Sequence, residues 1–161
     1  MSIKSFTKLF EEAFNAETCV GPFIGGHLII EFLLRKLIQI YDPALSRLAD
    51  DLNHARLIQL NYDLGTIDDS QKETLVLINK TRNKFAHQIT YEPTIEELKA
   101  LFKSASLSFS DLSDGISQGL EVLEEAKSVN DLDEWVIPEL FVQISYDLAD
   151  EYNSRGGDLT G

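Results

Sequence analysis

One segment, residues 22–41, constrains the fold of this chain most strongly. Its middle, residues 23–38, is apolar nearly all the way round a helix. A helix of this kind lies at the centre of a core or in a subunit interface. Glu31 and the pair Arg35–Lys36 interrupt the apolar residues, so the segment is too polar to span a bilayer. Other helices must therefore cover it.

Hydrophobic spacing predicts those other helices. Apolar residues recur at helical intervals along the chain, and strand-like alternation is absent. We expect an all-α, single-domain helical bundle of about six to seven helices over residues 1–153, followed by a flexible polar tail at 154–161. The predicted helices cover about residues 3–15, 22–41, 52–64, 70–87, 94–105, 111–127 and 138–153, and a short helical segment is predicted at 43–51.

Local signals indicate where several helices begin and end. Gly65 is placed to cap the C-terminus of the helix before it. The sequences Ser70–Glu73 and Thr94–Glu97 each have the spacing of a capping box, which predicts two helix starts. Gly25–Gly26 lies inside the predicted central helix, where glycine lowers helix propensity by about 1 kcal/mol per residue. We expect another backbone to approach closely there.

Composition limits the function. The net charge of −13 argues against broad binding of nucleic acid or anionic membranes. Residues 70–91 form one basic island of net charge +3, whereas residues 92–161 carry −12. The single cysteine, Cys19, excludes an intramolecular disulfide and a cysteine-based zinc site, and no cofactor or metal is expected. The N-terminus lacks a long apolar h-region, which favours a cytoplasmic protein.

The basic island ends in a compact polar set: Arg82, Asn83, Lys84 and His87. Histidine can transfer a proton and arginine can stabilise a phosphoryl centre, so the set could cleave a phosphodiester without a metal. Arg82 and His87 are about 140° apart around an ideal helix. They meet only if the helix ends near Ala86 or if a second copy supplies the partner. The alternative is structural, with Arg82 in an ion pair and His87 at a helix C-terminus.

Three further polar residues precede that set. Glu31 is the one carboxylate in the apolar segment 22–41, and a buried charge needs a partner, so we predict a Glu31–Arg82 salt bridge. His27 and Glu31 are four residues apart and could ligate a metal, but a third ligand at helical spacing is missing, which favours a role in the core. His54 is expected at the surface.

The residues Arg82–His87 resemble the Arg-x4-6-His motif of the HEPN superfamily, which are all-α helical-bundle proteins that include ribonuclease toxins. The wider frame resembles the mannitol-repressor-like (MltR-like) branch. That likeness is carried by Glu31–Leu34, Leu60–Asp68 and Arg82–His87, and it covers roughly residues 22–90.

The resemblance implies two different functions. As in the MltR-like branch, the chain would be a regulator, and the absence of a basic recognition helix from the sequence favours protein contacts over direct DNA binding. As in HEPN ribonucleases, a homodimer would join two motifs. Arg82 would then steady the phosphate of RNA, His87 would carry the proton, and Asn83 would complete the site. Glu31 and Lys84 would be structural or supporting residues. The binding partner would be another protein or a cognate antitoxin.

Overall fold

The computed structural model describes residues 20–88 and 91–159 of the chain. These residues form seven α-helices and two short 3-10 helices and contain no β-strand, which confirms the all-α prediction. The predicted helix at 3–15 lies outside the described residues. The helices are α1 (Val20–Tyr41), α2 (Ser46–Asp51), α3 (His54–Leu64), α4 (Asp69–His87), α5 (Ile95–Ser108), α6 (Gly115–Glu125) and α7 (Val136–Ser154), with 3-10 helices at Pro43–Leu45 and Val129–Asp131.

Helix α1 is the centre of the bundle, as its apolar sequence predicts. It packs most extensively against α7 and also contacts α2, α3 and α4. Its Phe23 ring lies 5.2 Å from the rings of both Phe85 on α4 and Phe141 on α7. Three helices therefore meet at one aromatic cluster. The fully buried α1 side chains are Phe23, Ile30, Leu34, Leu37 and Ile38.

A buried amide joins α3 to α1. Asn61 is fully buried, and its Nδ2 donates to the carbonyls of Leu34 on α1 (3.0 Å) and Leu57 on α3 (2.9 Å). Thr66 Oγ1 donates to the Asn61 backbone carbonyl at 2.9 Å and to its side-chain oxygen. Because these bonds satisfy the amide, α3 is fixed against the central helix at a defined height.

Helix ends follow local chemistry, with one correction. Gly65 adopts a left-handed conformation (φ 78°) and caps α3, as predicted. Thr94 and Glu97 form the predicted capping box of α5. The box at the start of α4 is formed by Asp68 and Gln71, two residues before the predicted Ser70. The aspartate is the better cap because its carboxylate also interacts favourably with the helix dipole.

The two adjacent glycines of α1 have different surroundings. A Cβ atom on Gly26 would overlap the ring of Phe141, whereas a Cβ on Gly25 would meet no atom within 4 Å. The atoms nearest to a Cβ on Gly26 belong to an aromatic side chain of α7, so the close approach involves Gly26 and not Gly25. This contact lets α7 lie close to α1.

The C-terminal end of the chain continues the last helix further than predicted. Ser154 belongs to α7, and Arg155 Nε donates to Glu151 Oε1 at 2.9 Å. Gly156 takes a positive φ of 93°, and the Gly157 N–H donates to the Tyr152 carbonyl at 3.0 Å.

Among the described helices, none combines the length and the apolar character that crossing a bilayer requires.

Candidate functional site

A polar cleft of about 390 Å³ opens between α1, α3 and α4. Helix α4 contributes Asn79, Arg82 and Asn83, whose spacing of three and four residues places them on one helical face. Helix α1 and the start of α3 form the other walls. Their main polar residues are His27, Glu31, Arg35 and His54. We call this site the polar cleft.

Two stacked histidines lie at the base of the polar cleft. The rings of His27 and His54 are 3.6 Å apart between centroids and 20° from parallel. Both side chains are buried, with 4% and 7% of their surface exposed. His54 was expected at the surface, so that prediction is wrong. It lies on the inner face of α3 with Leu57 and Ile58, because it is three and four residues before them.

The imidazole nitrogens in this pair are largely without hydrogen-bond partners. His27 Nε2 donates to Asn79 Oδ1 at 2.9 Å, since an amide oxygen can only accept. His27 Nδ1 and both ring nitrogens of His54 are buried and make no hydrogen bond within residues 20–88 and 91–159. An unsatisfied buried polar group costs about 1–3 kcal/mol. The arrangement therefore costs stability, and such sites call for an explanation.

Both histidines are held in the neutral form. The pKa of His54 is lowered to about 3, mainly by burial, and His27, Arg82 and Arg35 contribute to this shift. Burial is also the main cause of a lowered pKa at His27, with Arg82 adding to it. The hydrogen bond to Asn79 and the charge of Glu31 oppose that shift without reversing it. Each ring therefore offers one N–H donor and one lone pair near neutral pH.

Glu31 pairs with Arg35, one turn later on α1, at 3.4 Å. The predicted Glu31–Arg82 salt bridge is therefore not the pairing in the structure. Arg35 also donates to two backbone carbonyls at the end of α2, those of Ala49 (3.2 Å) and Leu52 (3.1 Å). The local pair forms because an acidic residue four positions before a basic one has favourable geometry on a helix.

Arg82 faces the polar cleft without a carboxylate partner. Its side chain is half-buried, and it makes no ion pair or hydrogen bond with any described residue. Its charge reaches the two imidazoles, whose pKa values it lowers. A guanidinium in this state keeps all five N–H donors available to a ligand. The structural alternative for Arg82, an ion pair with Glu31, is thus not realised.

The other members of the predicted catalytic set separate in the structure. Asn83 is exposed and lines the polar cleft, but His87 is exposed at the end of α4 and does not line it. Lys84 forms a salt bridge with Glu97 of α5 at 3.1 Å and lies outside the cleft. The same contact affects Glu97: burial favours a higher pKa for this carboxyl group, but hydrogen bonds from Tyr91 and Lys84 outweigh burial, so the pKa is lowered. One chain therefore brings Arg82 and Asn83 together without His87.

The chemistry available in the polar cleft is hydrogen bonding to an anion through Arg82 and the side-chain amides of α4. The described residues contain no group of three or more His, Cys, Asp or Glu side chains that could hold a metal ion. His27, Glu31 and His54 all line this cleft, but these described residues are not grouped as a set of metal ligands.

A second surface, apolar in character, adjoins the cleft. Leu28, Ile29 and Phe32 of α1 are 54%, 52% and 51% exposed, although this helix is the centre of the core. Val142 and Tyr146 of α7 lie across a groove of about 390 Å³ from Ile29. We call these five residues the contact face. Leu28 also lines the polar cleft, so the two features are neighbours on α1.

Searches of protein-family models, curated proteins and solved structures found no match to this chain.

Proposed function

We propose that this chain is a regulatory protein of the MltR-like kind that acts by binding protein chains, a second copy of itself first, and not by binding DNA. The observation that carries the proposal is the contact face. Three large apolar side chains, Leu28, Ile29 and Phe32, are each about half exposed on consecutive turns of the central helix. Contiguous apolar surface of this kind is typical of protein–protein contact sites.

The groove beside these residues supports the same proposal. It is lined almost entirely by apolar atoms, from Pro22 and Ile29 on one side to Pro138 and Tyr146 on the other. A groove next to a protruding Phe32 offers both a knob and a recess. Two copies related by a two-fold axis could therefore insert each knob into the other's groove, which is the usual form of a symmetric dimer.

Charge supports a protein partner over DNA. The chain has a net charge of −13, and its C-terminal part, residues 92–161, accounts for −12 of it. DNA binding depends on neutralising phosphates with lysine and arginine side chains. A polyanion would meet repulsion over most of this surface, whereas an apolar contact is insensitive to the sign of the distant charge.

The test is the mass of the protein in solution across a wide concentration series, measured by sedimentation velocity. We expect the wild type to associate and Phe32→Glu to remain a monomer, because a carboxylate would be buried in the interface. Leu107→Glu is the matched control, since Leu107 is 84% exposed on α5, away from the contact face. A monomeric wild type at all concentrations, or loss of association in both variants, would contradict the proposed interface.

Regulation has a separate readout in the cell. Replacement of the chromosomal gene by the Phe32→Glu allele should change the same transcripts as deletion of the gene. The Leu107→Glu allele should leave them as in the wild type. If deletion changes no transcript, the chain is not a transcriptional regulator, whatever its association state.

We propose a second candidate function, a metal-independent ribonuclease in which Arg82 and His87 come from different copies. Two observations favour it. Arg82 makes no ion pair with any residue that the structure describes, and His87 is exposed, so neither side chain has a structural role among these residues. Because His87 lies outside the polar cleft, a second copy would have to bring its own His87 to Arg82. Asn83, beside Arg82 in the cleft, would then contact the same phosphate.

The corresponding assay is RNA cleavage in the presence of EDTA by the wild type, His87→Ala and Lys80→Ala. Lys80 is an exposed residue of the same helix and does not line the cleft. A ribonuclease of this kind should lose cleavage in His87→Ala and keep it in Lys80→Ala. Equal background activity in the wild type and His87→Ala would end the enzyme hypothesis.

A further inference from the structure

We propose that the polar cleft binds a small hydroxylated organic anion. Arg82 and the side-chain amides of Asn79 and Asn83 hold its anionic group, and Glu31 and the histidine pair bind its hydroxyl groups. This is a ligand site of the single chain. It requires neither dimerisation through the contact face nor the presence of His87, so it stands or falls separately from both functions proposed above.

The first step of the argument is the donor wall on α4. Asn79, Arg82 and Asn83 point from one helical face into the same cleft. Asn79 uses its side-chain oxygen to accept from His27, which leaves its amide N–H groups available to a ligand. Arg82 contributes a planar fork of donors that no described carboxylate occupies. A planar guanidinium next to amide donors is suited to a carboxylate or a phosphate.

The second step is the histidine pair. His27 and His54 are more than nine-tenths buried, and three of their four ring nitrogens make no hydrogen bond to the described part of the chain. With Nε2 of His27 donating to Asn79, its Nδ1 carries a lone pair that can only accept. Hydroxyl groups are the natural partners of such nitrogens because they both donate and accept. A bare oxyanion without hydroxyls would leave the lone pair of His27 unmet.

The third step is the opposite wall. Glu31 presents an acceptor to the same cleft, and Arg35 holds it in place at 3.4 Å. Donors on α4 therefore face an acceptor on α1. A simple anion would be repelled by Glu31, whereas a molecule with an anionic end and a hydroxylated end matches both walls. The cleft volume of about 390 Å³ is near the lower end of ligand pockets and fits one compact molecule.

Two kinds of ligand share this chemistry, a phosphate ester and a carboxylate, and four probes separate them. Glucose 6-phosphate carries hydroxyls and a phosphate, and gluconate carries hydroxyls and a carboxylate. Inorganic phosphate has the anion alone, and glucose has the hydroxyls alone. Calorimetric titration of the full chain should show binding of glucose 6-phosphate or gluconate at least tenfold tighter than binding of inorganic phosphate or glucose.

The histidine side chains report the location of binding. The chain has three histidines, so an imidazole nitrogen NMR spectrum contains three sets of signals. The bound probe should shift the signals of His27 and His54 and leave His87 unchanged, since His87 lies outside the cleft. Shifts confined to His87, or no shift with any of the four probes, would overturn the proposal.

Matched variants complete the test. Arg82→Gln should weaken binding of the hydroxylated anion at least tenfold, whereas Lys80→Gln, with the same change of charge on the same helix, should not. Circular dichroism and thermal unfolding of each variant verify that it is folded. Equal weakening in both variants would mean that net charge, and not the cleft, governs binding, and this would overturn the proposal. His87→Ala should bind normally even if it abolishes RNA cleavage, and Phe32→Glu should bind normally even as a monomer.

Discussion

His27 and His54 stack face to face across α1 and α3, with 3.6 Å between ring centroids. The contact joins two helices through polar rings, although aliphatic side chains would fill the same space without burying unpaired ring nitrogens. Burial keeps both rings neutral at pH 7. Arg82 opposes the protonation of both rings, and Arg35 opposes that of His54. The stack is thus compatible with the fold only while neither ring is charged.

Acidification should destabilise the protein through this pair. The pKa of His54 falls from 6.5 in the unfolded chain to about 3 in the fold. Between those values the unfolded state binds the extra proton, so the free energy of unfolding decreases as pH falls below 6.5. The slope is about 1.4 kcal/mol per pH unit for each such group. Urea unfolding between pH 7 and pH 5 measures it, in a range above the titration of most carboxylates.

The control for this pH effect is a variant without the buried ring. His54→Gln removes the imidazole whose pKa is lowered, so it should flatten the dependence by about one proton. A pH slope that is the same in the wild type and in His54→Gln would show that His54 is not its source.

The two glycines of α1 give a matched test of packing. Gly26→Ala should destabilise the protein by about 1–3 kcal/mol, since the new methyl group overlaps the Phe141 ring and forces α7 to move. Gly25→Ala should be neutral or stabilising by up to about 1 kcal/mol, because it meets open space and alanine favours a helix. Thermal unfolding distinguishes them, and equal effects at both positions would contradict the close approach at Gly26.

Asn61 should be among the most sensitive polar residues of the core. Asn61→Leu removes its hydrogen bonds to Leu34 and Leu57 and leaves the Thr66 hydroxyl with one acceptor fewer. We expect a loss of roughly 2 kcal/mol or more, since buried polar groups lose partners. Gln59→Leu, an exposed change on the same helix, should cost little. Urea unfolding of the two variants at pH 7 measures the difference.

Arg35 should matter more for stability than its acidic partner. Arg35→Met removes the ion pair with Glu31 and the two bonds to the Ala49 and Leu52 carbonyls at the end of α2, at a cost of roughly 2 kcal/mol. Glu31→Gln leaves those carbonyl bonds in place and should cost about 0.5 kcal/mol. Denaturant midpoints give the order, and a larger effect of Glu31→Gln would refute it.

The sequence by itself determined the helices. Apolar spacing identified α1 as the central helix, Gly65 ended α3, and Thr94 with Glu97 began α5, because each of these signals acts within one turn of the chain. The start of α4 lies two residues before the predicted Ser70, because Asp68 and Ser70 both have capping chemistry and Asp68 is the better cap. The ion pair between Glu31 and Arg35 is also a local feature, because the two residues are four apart on one helix. Their spacing in the sequence was enough to predict it.

Only the tertiary structure decided which side chains share a cleft. The spacing of His54 from Leu57 and Ile58 in the sequence partly predicts its burial. Its stacking on His27, in contrast, depends on how α3 crosses α1. The same crossing places Arg82 and Asn83 opposite Glu31 and leaves His87 outside. Helix periodicity states which residues face inward. It contains no information on the angle and height at which two helices pack, and those quantities determine the site.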